Sequence, residues 1–161
     1  MTAGPGDGGP APDMVAMGPQ HLAVAATLHA ACFDEAWSAA AIGGILATAG
    51  SFGLLAVAAD GTPVGLALCR VVHEQADVLA IGVAPAARRR RVGRALLDAA
   101  VAGCRARGAR AVLLEVAEDN ACARALYRAA GFEEVARRPG YYRRPGAPPV
   151  DARLMRLGDA D

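Results

Sequence analysis

The chain encodes one α/β domain, a single mixed and mostly antiparallel twisted sheet of about seven strands with helices on both faces. Its 161 residues suffice for one compact domain with a substantial core and fall short of two. Apolar runs of strand length alternate with stretches of helical spacing in the order β-α-α-β-β-β-α-β-α-β-β. Between two of the apolar runs stands Asp60-Gly61, the signature of a tight hairpin, so the neighbouring strands there are antiparallel.

The elements follow in order. MTAGPGDGGPAPD, residues 1–13, has no basic or apolar region of a signal peptide, and its Gly/Pro content predicts a disordered tail ahead of one domain over 14–161. A short strand near Met14–Met17 leads into GPQHLAVAATLHAACF, where Leu22, Ala25, Ala26 and Ala30 form a helical face. A second helix begins at Trp37 or Ser38 and runs to Thr48, with Ser38 as a fitting N-cap. SFGLLAVAADGTPVGLALCRVV is the hairpin, and QADVLAIGVAP is a third long strand stopped by Pro85. Val92, Leu96, Ala99, Ala100 and Cys104 give the spacing of an amphipathic helix that ends at Gly108. ARAVLLEVAED is a buried strand, Asn120 caps a short helix that stops at Gly131, and FEEVARR and DARLMRL are strands flanking a Pro/Gly/Tyr-rich loop.

Composition narrows the function. Hydrophobic residues make up 54% of the chain, but with 19 glycines and few aromatics, so the core is small-residue and closely packed. The net charge is +1, which gives no global reason to bind nucleic acid. Every one of the 17 basic residues is arginine, which fits either genomic base composition or bidentate anion contacts. Cys32, Cys69, Cys104 and Cys122 form no C-x-x-C pair, and His21, His29 and His73 have no ligand spacing, so no metal is expected. No apolar run approaches the roughly 20 residues that cross a bilayer. A soluble cytoplasmic protein is expected.

Two stretches carry chemistry. In PAARRRRVGRALL, Arg88, Arg89, Arg90, Arg91 and Arg94 crowd the start of a helix. Cations there are disfavoured by about 0.3–1 kcal/mol each, so an anion would relieve the conflict. A strand, a tight turn and a helix N-terminus together make such a site; a solvated charged turn is the plainer alternative. In LLEVAEDNACARALYRAAGF, Glu115 lies in the middle of an apolar strand on the face opposite Leu114 and Val116. A half-exposed strand face or a salt bridge to an arginine would also account for it. Tyr127 follows Asn120 by seven residues, about two helical turns. Cys122 lies between them as a rival nucleophile without a histidine nearby in sequence.

These residues resemble the GNAT superfamily of acetyl-CoA-dependent N-acetyltransferases. The run Arg88-Arg89-Arg90-Arg91-Val92-Gly93 stands where that family has its pyrophosphate signature [QR]-x-x-G-x-[GA], with Arg91 in place of the first glycine. Leu114-Glu115-Val116, Asn120, Ala123, Leu126-Tyr127 and Gly131-Phe132 are similar to the LEV-x-x-x-N-x-x-A-x-x-LY-x-x-x-GF pattern of its RimI-type alanine N-acetyltransferases. The resemblance implies the GNAT fold, Glu115 as general base, Tyr127 as general acid and direct transfer to an amine. Acetyl-CoA would be held by Ile81, Gly82 and Val83, by Arg88 to Arg91 with Val92, Gly93 and Arg94, and by Asn120.

On the acceptor side it implies Trp37, Tyr141, Tyr142 and Asp151. Arg138-Pro139-Gly140-Tyr141-Tyr142 is similar to the family's R-x-N-Y-Y, with Gly140 for the asparagine. The implied acceptor is the N-terminal alanine of a small-subunit ribosomal protein, taken by a monomer or weak dimer. The departures at Gly140 and over 143–151 favour instead a small-molecule amine or other protein N-termini. Arg91 raises a third alternative, a non-catalytic acyl-CoA-binding module.

Overall fold

The computed structural model describes residues 9–88 and 90–158. Part of the expected N-terminal tail, residues 1–8, and Arg89 lie outside them. The elements are β1 (Asp13–Ala16), α1 (Leu22–Cys32), α2 (Ala39–Ala47), β2 (Ser51–Val57), β3 (Pro63–Val72), β4 (Gln75–Val83), α3 (Val92–Ala106), β5 (Ala111–Ala117), α4 (Ala121–Ala129), β6 (Glu133–Arg144) and β7 (Ala147–Gly158). Single 3-10 turns at Pro19–His21 and Pro85–Ala87 precede α1 and α3. Among the described residues, no helix is long and apolar enough to cross a membrane.

All seven strands form one sheet in the order β1-β2-β3-β4-β5-β7-β6. Only β4 and β5 are parallel, and α3 makes their crossover. The remaining pairs are antiparallel. Local chemistry sets the boundaries where the sequence indicates. Ser38 Oγ accepts the Ala41 N–H at 3.1 Å and caps α2. Gly108 and Gly131 end α3 and α4 with φ of 94° and 98°.

The two faces of the sheet carry separate cores. On one, α3 and α4 bring Leu96, Leu97, Ala100, Cys104 and Tyr127 onto Phe52, Ala67, Cys69, Val112, Leu114 and Met155. On the other, Ala25, Leu28 and Ile42 of α1 and α2 pack on Leu55, Leu66, Leu68 and Ala80. His29 is buried in this second layer, 2% exposed, between the rings of Phe33 and Trp37 at 4.4 and 4.6 Å. Its Nδ1 accepts the Trp37 N–H at 3.0 Å, and burial lowers its pKa, which keeps the ring neutral.

A bulge in β4 decides what reaches the functional region. Ala80 pairs with Leu68 and Val78 with Cys69, so Leu79 has no partner across the ladder. One extra residue reverses the alternation of side chains. Ala76 and Val78 face the α3 side before the bulge; Ile81 and Val83 face it afterwards, and Ala80 falls in the other core. Gly82 is thereby turned toward the end of α1.

One expectation is corrected. The 139–150 segment is not a loop, since β6 and β7 continue through it as a long hairpin closed at Pro145-Gly146. Pro139 is tolerated because β6 is the edge strand, and register shifts absorb the irregularity.

Gly82 has no room for a side chain. A Cβ there would lie 2.9 Å from Cys32 Cβ and 3.3 Å from the Phe33 ring. Cys32 Cβ is fixed to the helix backbone, so α1 would have to shift. Gly82→Ala is expected to destabilise the fold by about 1–3 kcal/mol, the scale of core overpacking, read as a lowered urea midpoint at unchanged slope.

Candidate active site

β4 and β5 pair over only four positions, from Gln75 with Ala111 to Val78 with Leu114. Beyond them β4 runs on to Val83 and β5 to Ala117, with no ladder between. The strands part into a cleft whose β4 wall is Leu79 to Val83. Backbone groups there have no sheet partner across the gap and can meet a ligand. Ile81, Gly82 and Val83 stand together on this wall.

The head of α3 lies at the end of that wall. No side chain caps it and no acidic residue occupies its first turn, so its leading N–H groups and dipole are available to an anion. The arginines divide. Arg88 turns back, its Nε donating to the Val83 carbonyl at 3.0 Å, and its guanidinium partly offsets the upward push of burial on the Cys32 thiol. Arg94 pairs with Asp98 one turn along, at 3.0 Å. Arg90 is exposed. Gly93 leaves ordinary van der Waals space: a Cβ at this position would lie 3.4 Å from Leu126 Cδ2 and 3.7 Å from Val83 Cγ2.

Arg91 is the exception in this turn. Its φ of 61° and ψ of 10° put it in the left-handed region, and it is the residue from which α3 starts. The glycine of the signature is therefore a conformational requirement that Arg91 meets under strain. For a residue with a Cβ this costs about 1–2 kcal/mol.

On the opposite wall, Leu114 and Val116 of β5 are buried against α3 and α4, so Glu115 points to the other face. Helices α1 and α2 pack there over β2, β3 and β4. Glu115 lies past them, 23% exposed, with Oε1 3.2 Å from Nε of Arg138 on β6. The salt bridge expected as the plainer reading of this carboxylate is thus present. Asp77 shares the face; burial and then the Glu115 charge push its carboxyl up, against the pull of Arg70.

Tyr127 on α4 is 7% exposed and packs 6.0 Å from the Phe132 ring. Burial, with a smaller contribution from Tyr142, raises its pKa to about 12. Tyr142 is likewise raised to about 12, by burial first and then by Glu115 and Tyr141. Tyr142 thus feels Glu115 and itself bears on Tyr127. Tyr141 is exposed and stands edge-on to Tyr142 at 5.1 Å.

The other candidates have structural duties. Asn120 Oδ1 accepts the Ala123 N–H at 3.2 Å as the N-cap of α4. Trp37 is in the His29 stack. Asp151 is engaged by the Gly140 N–H at 2.8 Å and by Arg137 at 2.6 Å, which hold the β6 bulge in place. Cys122 is exposed at the head of α4, while His21 accepts from the Gly18 N–H, His29 is buried on the inner face of α1 and His73 occupies the β3–β4 turn. Among the described residues, no group of three or more His, Cys, Asp or Glu could hold a metal ion. Sequence reasoning singles out neither Asp77 nor the Arg138 contact as part of the site; both depend on strand register, which only long-range pairing defines.

Residues 22–132 match the acetyltransferase (GNAT) family. The chain belongs to the GNAT acetyltransferases. It is 39% identical over 132 residues to the N-alpha-acetyltransferase RimI of Mycobacterium tuberculosis, covering 80% of this chain and 79% of that one. It is 42% identical over 127 residues to an uncharacterized protein of Mycobacterium leprae, which covers 76% of this chain. The crystal structure of the ribosomal-protein-S18-alanine N-acetyltransferase from Escherichia coli superposes with a TM-score of 0.82 at 26% identity, over 92% of this chain and 96% of that one. The chain spans 33% of the length of the M. leprae relative, and 60% of the bS18-alanine N-acetyltransferase of Salmonella typhimurium.

The strain at Arg91 has a measurable consequence. Arg91→Gly is expected to stabilise the protein by about 1 kcal/mol or less, the relief of a left-handed residue offset by the greater freedom of glycine in the unfolded chain. Arg91→Ala should give no such gain. Urea unfolding of the two variants distinguishes conformational strain from charge repulsion, because only the latter is relieved equally by both.

Proposed function

We propose that this protein is an acetyl-CoA-dependent N-acetyltransferase that acts in the cytoplasm on the N-terminal alanine of a small-subunit ribosomal protein. The observation that carries the reading is the cleft between β4 and β5, with Glu115 on its β5 wall; Tyr127 is buried on α4, where Tyr142 bears on it, and Tyr142 in turn feels Glu115. The relatives named for acetylation of ribosomal protein alanine support the acceptor. The uncapped head of α3 and the arginines of its turn fit the pyrophosphate of the cosubstrate, and the β4 edge at Ile81 to Val83 fits its amide-bearing arm. Arg89 belongs to this proposed group but lies outside the described residues.

The chemistry follows from proton affinities. An α-amino group has a pKa near 8 and is largely protonated at neutral pH. Glu115 removes one proton, directly or through a water, and the free amine attacks the thioester carbon. The C–N bond forms and the carbonyl electron pair moves onto oxygen, where N–H groups of the β4 wall stabilise it. The C–S bond then breaks and the sulfur leaves with its electron pair.

Tyr127, with a pKa of about 12, stays protonated and donates to that sulfur. A thiol near 8.5 is the stronger acid, so full transfer from Tyr127 is uphill. Tyr127 acts first as a hydrogen-bond donor, and the proton it yields is replaced from the nitrogen that is becoming an amide. Tyr141, Tyr142 and Trp37 flank the acceptor. Asp151 acts by shaping the β6 bulge beside it.

A small-molecule amine is the second reading. It is favoured by the commitment of Asp151 to Gly140 and Arg137, which leaves the 138–151 hairpin with one fewer free group for a peptide.

Steady-state release of CoA with acetyl-CoA and a hexapeptide starting in alanine tests the proposal. Glu115→Gln and Tyr127→Phe should each lower kcat by about 100-fold or more, the scale of general acid–base groups. Cys122→Ala should turn over normally, and no acetylated protein should accumulate without acceptor. Binding of acetyl-CoA without turnover of any amine would leave the non-catalytic reading in its place.

A further inference from the structure

The general base of the proposed reaction already has a cation on it. Arg138 Nε lies 3.2 Å from Glu115 Oε1, and a guanidinium stays charged under all physiological conditions. It can neither take nor give the proton that the reaction moves. While the pair is closed, the place where an acceptor ammonium must arrive is filled by a group of the same charge.

The hairpin builds this arrangement into its register. Arg138 pairs with Ala152 and Tyr142 with Val150, so β6 spends two residues more than β7 over this interval. Gly140, at φ 61°, turns inside the bulge, and Asp151 pins its N–H at 2.8 Å. The pairing Glu115 with Leu154, and Ala117 with Ala152 and Arg138, puts Glu115 and Arg138 on one face of the sheet. Arg138 also lies 5.4 Å from the centre of the Tyr141 ring, a second resting place for a cation.

We propose that Arg138 is a specificity-determining placeholder: its guanidinium occupies on Glu115 the position taken by the acceptor's ammonium, so that a cationic primary amine displaces it and a neutral nucleophile does not. The proposal rests on Glu115 being the base. The exchange is easy because the pair is not deeply buried, with Arg138 55% and Glu115 23% exposed, and such pairs are weak. An ammonium replaces charge with charge and brings three donors. A neutral hydroxyl would leave Glu115 without compensation for the lost guanidinium. Asp77, on the same face, adds negative potential that favours whichever cation is present.

The test follows the Nε–H NMR resonance of Arg138 in the 15N-labelled wild-type protein, assigned by its loss in Arg138→Gln. Propylammonium chloride at millimolar concentration should move this resonance toward its position in Glu115→Gln, where the guanidinium is released; propanol should leave it in place. In kinetics with the alanine hexapeptide, Arg138→Gln should lower the acceptor KM about twofold to fivefold, the equivalent of one exposed ion pair, and Arg138→Lys should restore it. The proposal is overturned if propylammonium leaves the resonance unmoved, if propanol moves it equally, or if Arg138→Gln raises KM, since Arg138 would then bind the acceptor itself. The titration needs no turnover, so displacement without acetylation of any amine would refute the transferase reading alone, and acetylation without displacement would refute the placeholder alone.

Discussion

The parting of β4 from β5 after four paired residues is the constraint on which the rest of this structure depends. A parallel pair buried on both faces has every reason to continue, because each broken rung leaves backbone groups to be satisfied elsewhere. The bulge at Leu79 ends the pairing by bending β4 and reversing its faces. Once reversed, Gly82 meets α1 and Val83 offers its carbonyl to Arg88. The turn into α3 is thereby tied to the strand that forms the cleft wall. The open edge of β4 and its tie to the turn into α3 therefore follow from one inserted residue.

Much of this is legible in the sequence because local chemistry carries it. Asp60-Gly61, Ser38, Gly108 and the helical spacing after Val92 each fix a boundary within a few residues, and the structure keeps all of them. Glu115 stands out because a carboxylate in an apolar strand is unusual locally; Tyr127, read alone, is a packed aromatic, and only the resemblance to the family pattern singles it out. The bulge at Leu79 leaves no mark in the sequence, since leucine suits a regular strand as well as a bulge. The 139–150 segment misleads for the converse reason: Pro139, Gly140 and Gly146 signal a turn, yet an edge strand with Asp151 holding Gly140 can carry them inside a hairpin. Contacts such as Glu115 with Arg138 depend on the register of three strands at once, which no local pattern encodes.

The arginine turn shows two physical requirements competing for one position. Its conformation asks for glycine at residue 91, where φ is 61°. Its electrostatics ask for an anion, since the helix head is uncapped and cations gather around it. Arg88 and Arg94 settle their own charge against Val83 and Asp98. Arg91 adds positive charge to this turn at a conformational cost of about 1–2 kcal/mol. Lysine would supply the charge but not the planar fork that grips two phosphate oxygens.

Between Glu115 and Tyr127 the chain passes through a loop, the least rigid kind of connection. The loop is clamped from outside. Arg124 of α4 donates to the Glu118 carbonyl at 2.9 Å and to the Glu134 carboxylate of β6 at 2.6 and 3.0 Å. Arg153 of β7 binds Glu118, and Arg144 binds Asp119. The Arg124 contacts above all hold the Glu134 carboxyl below its usual range. Each pair is near the surface and individually weak. Joined through shared partners, they fix α4 to the β6–β7 hairpin on one side and to the end of β5 on the other, so that Glu115 and Tyr127 are tied through one network of ion pairs, while Arg138 meets Glu115 from the other face of the same hairpin.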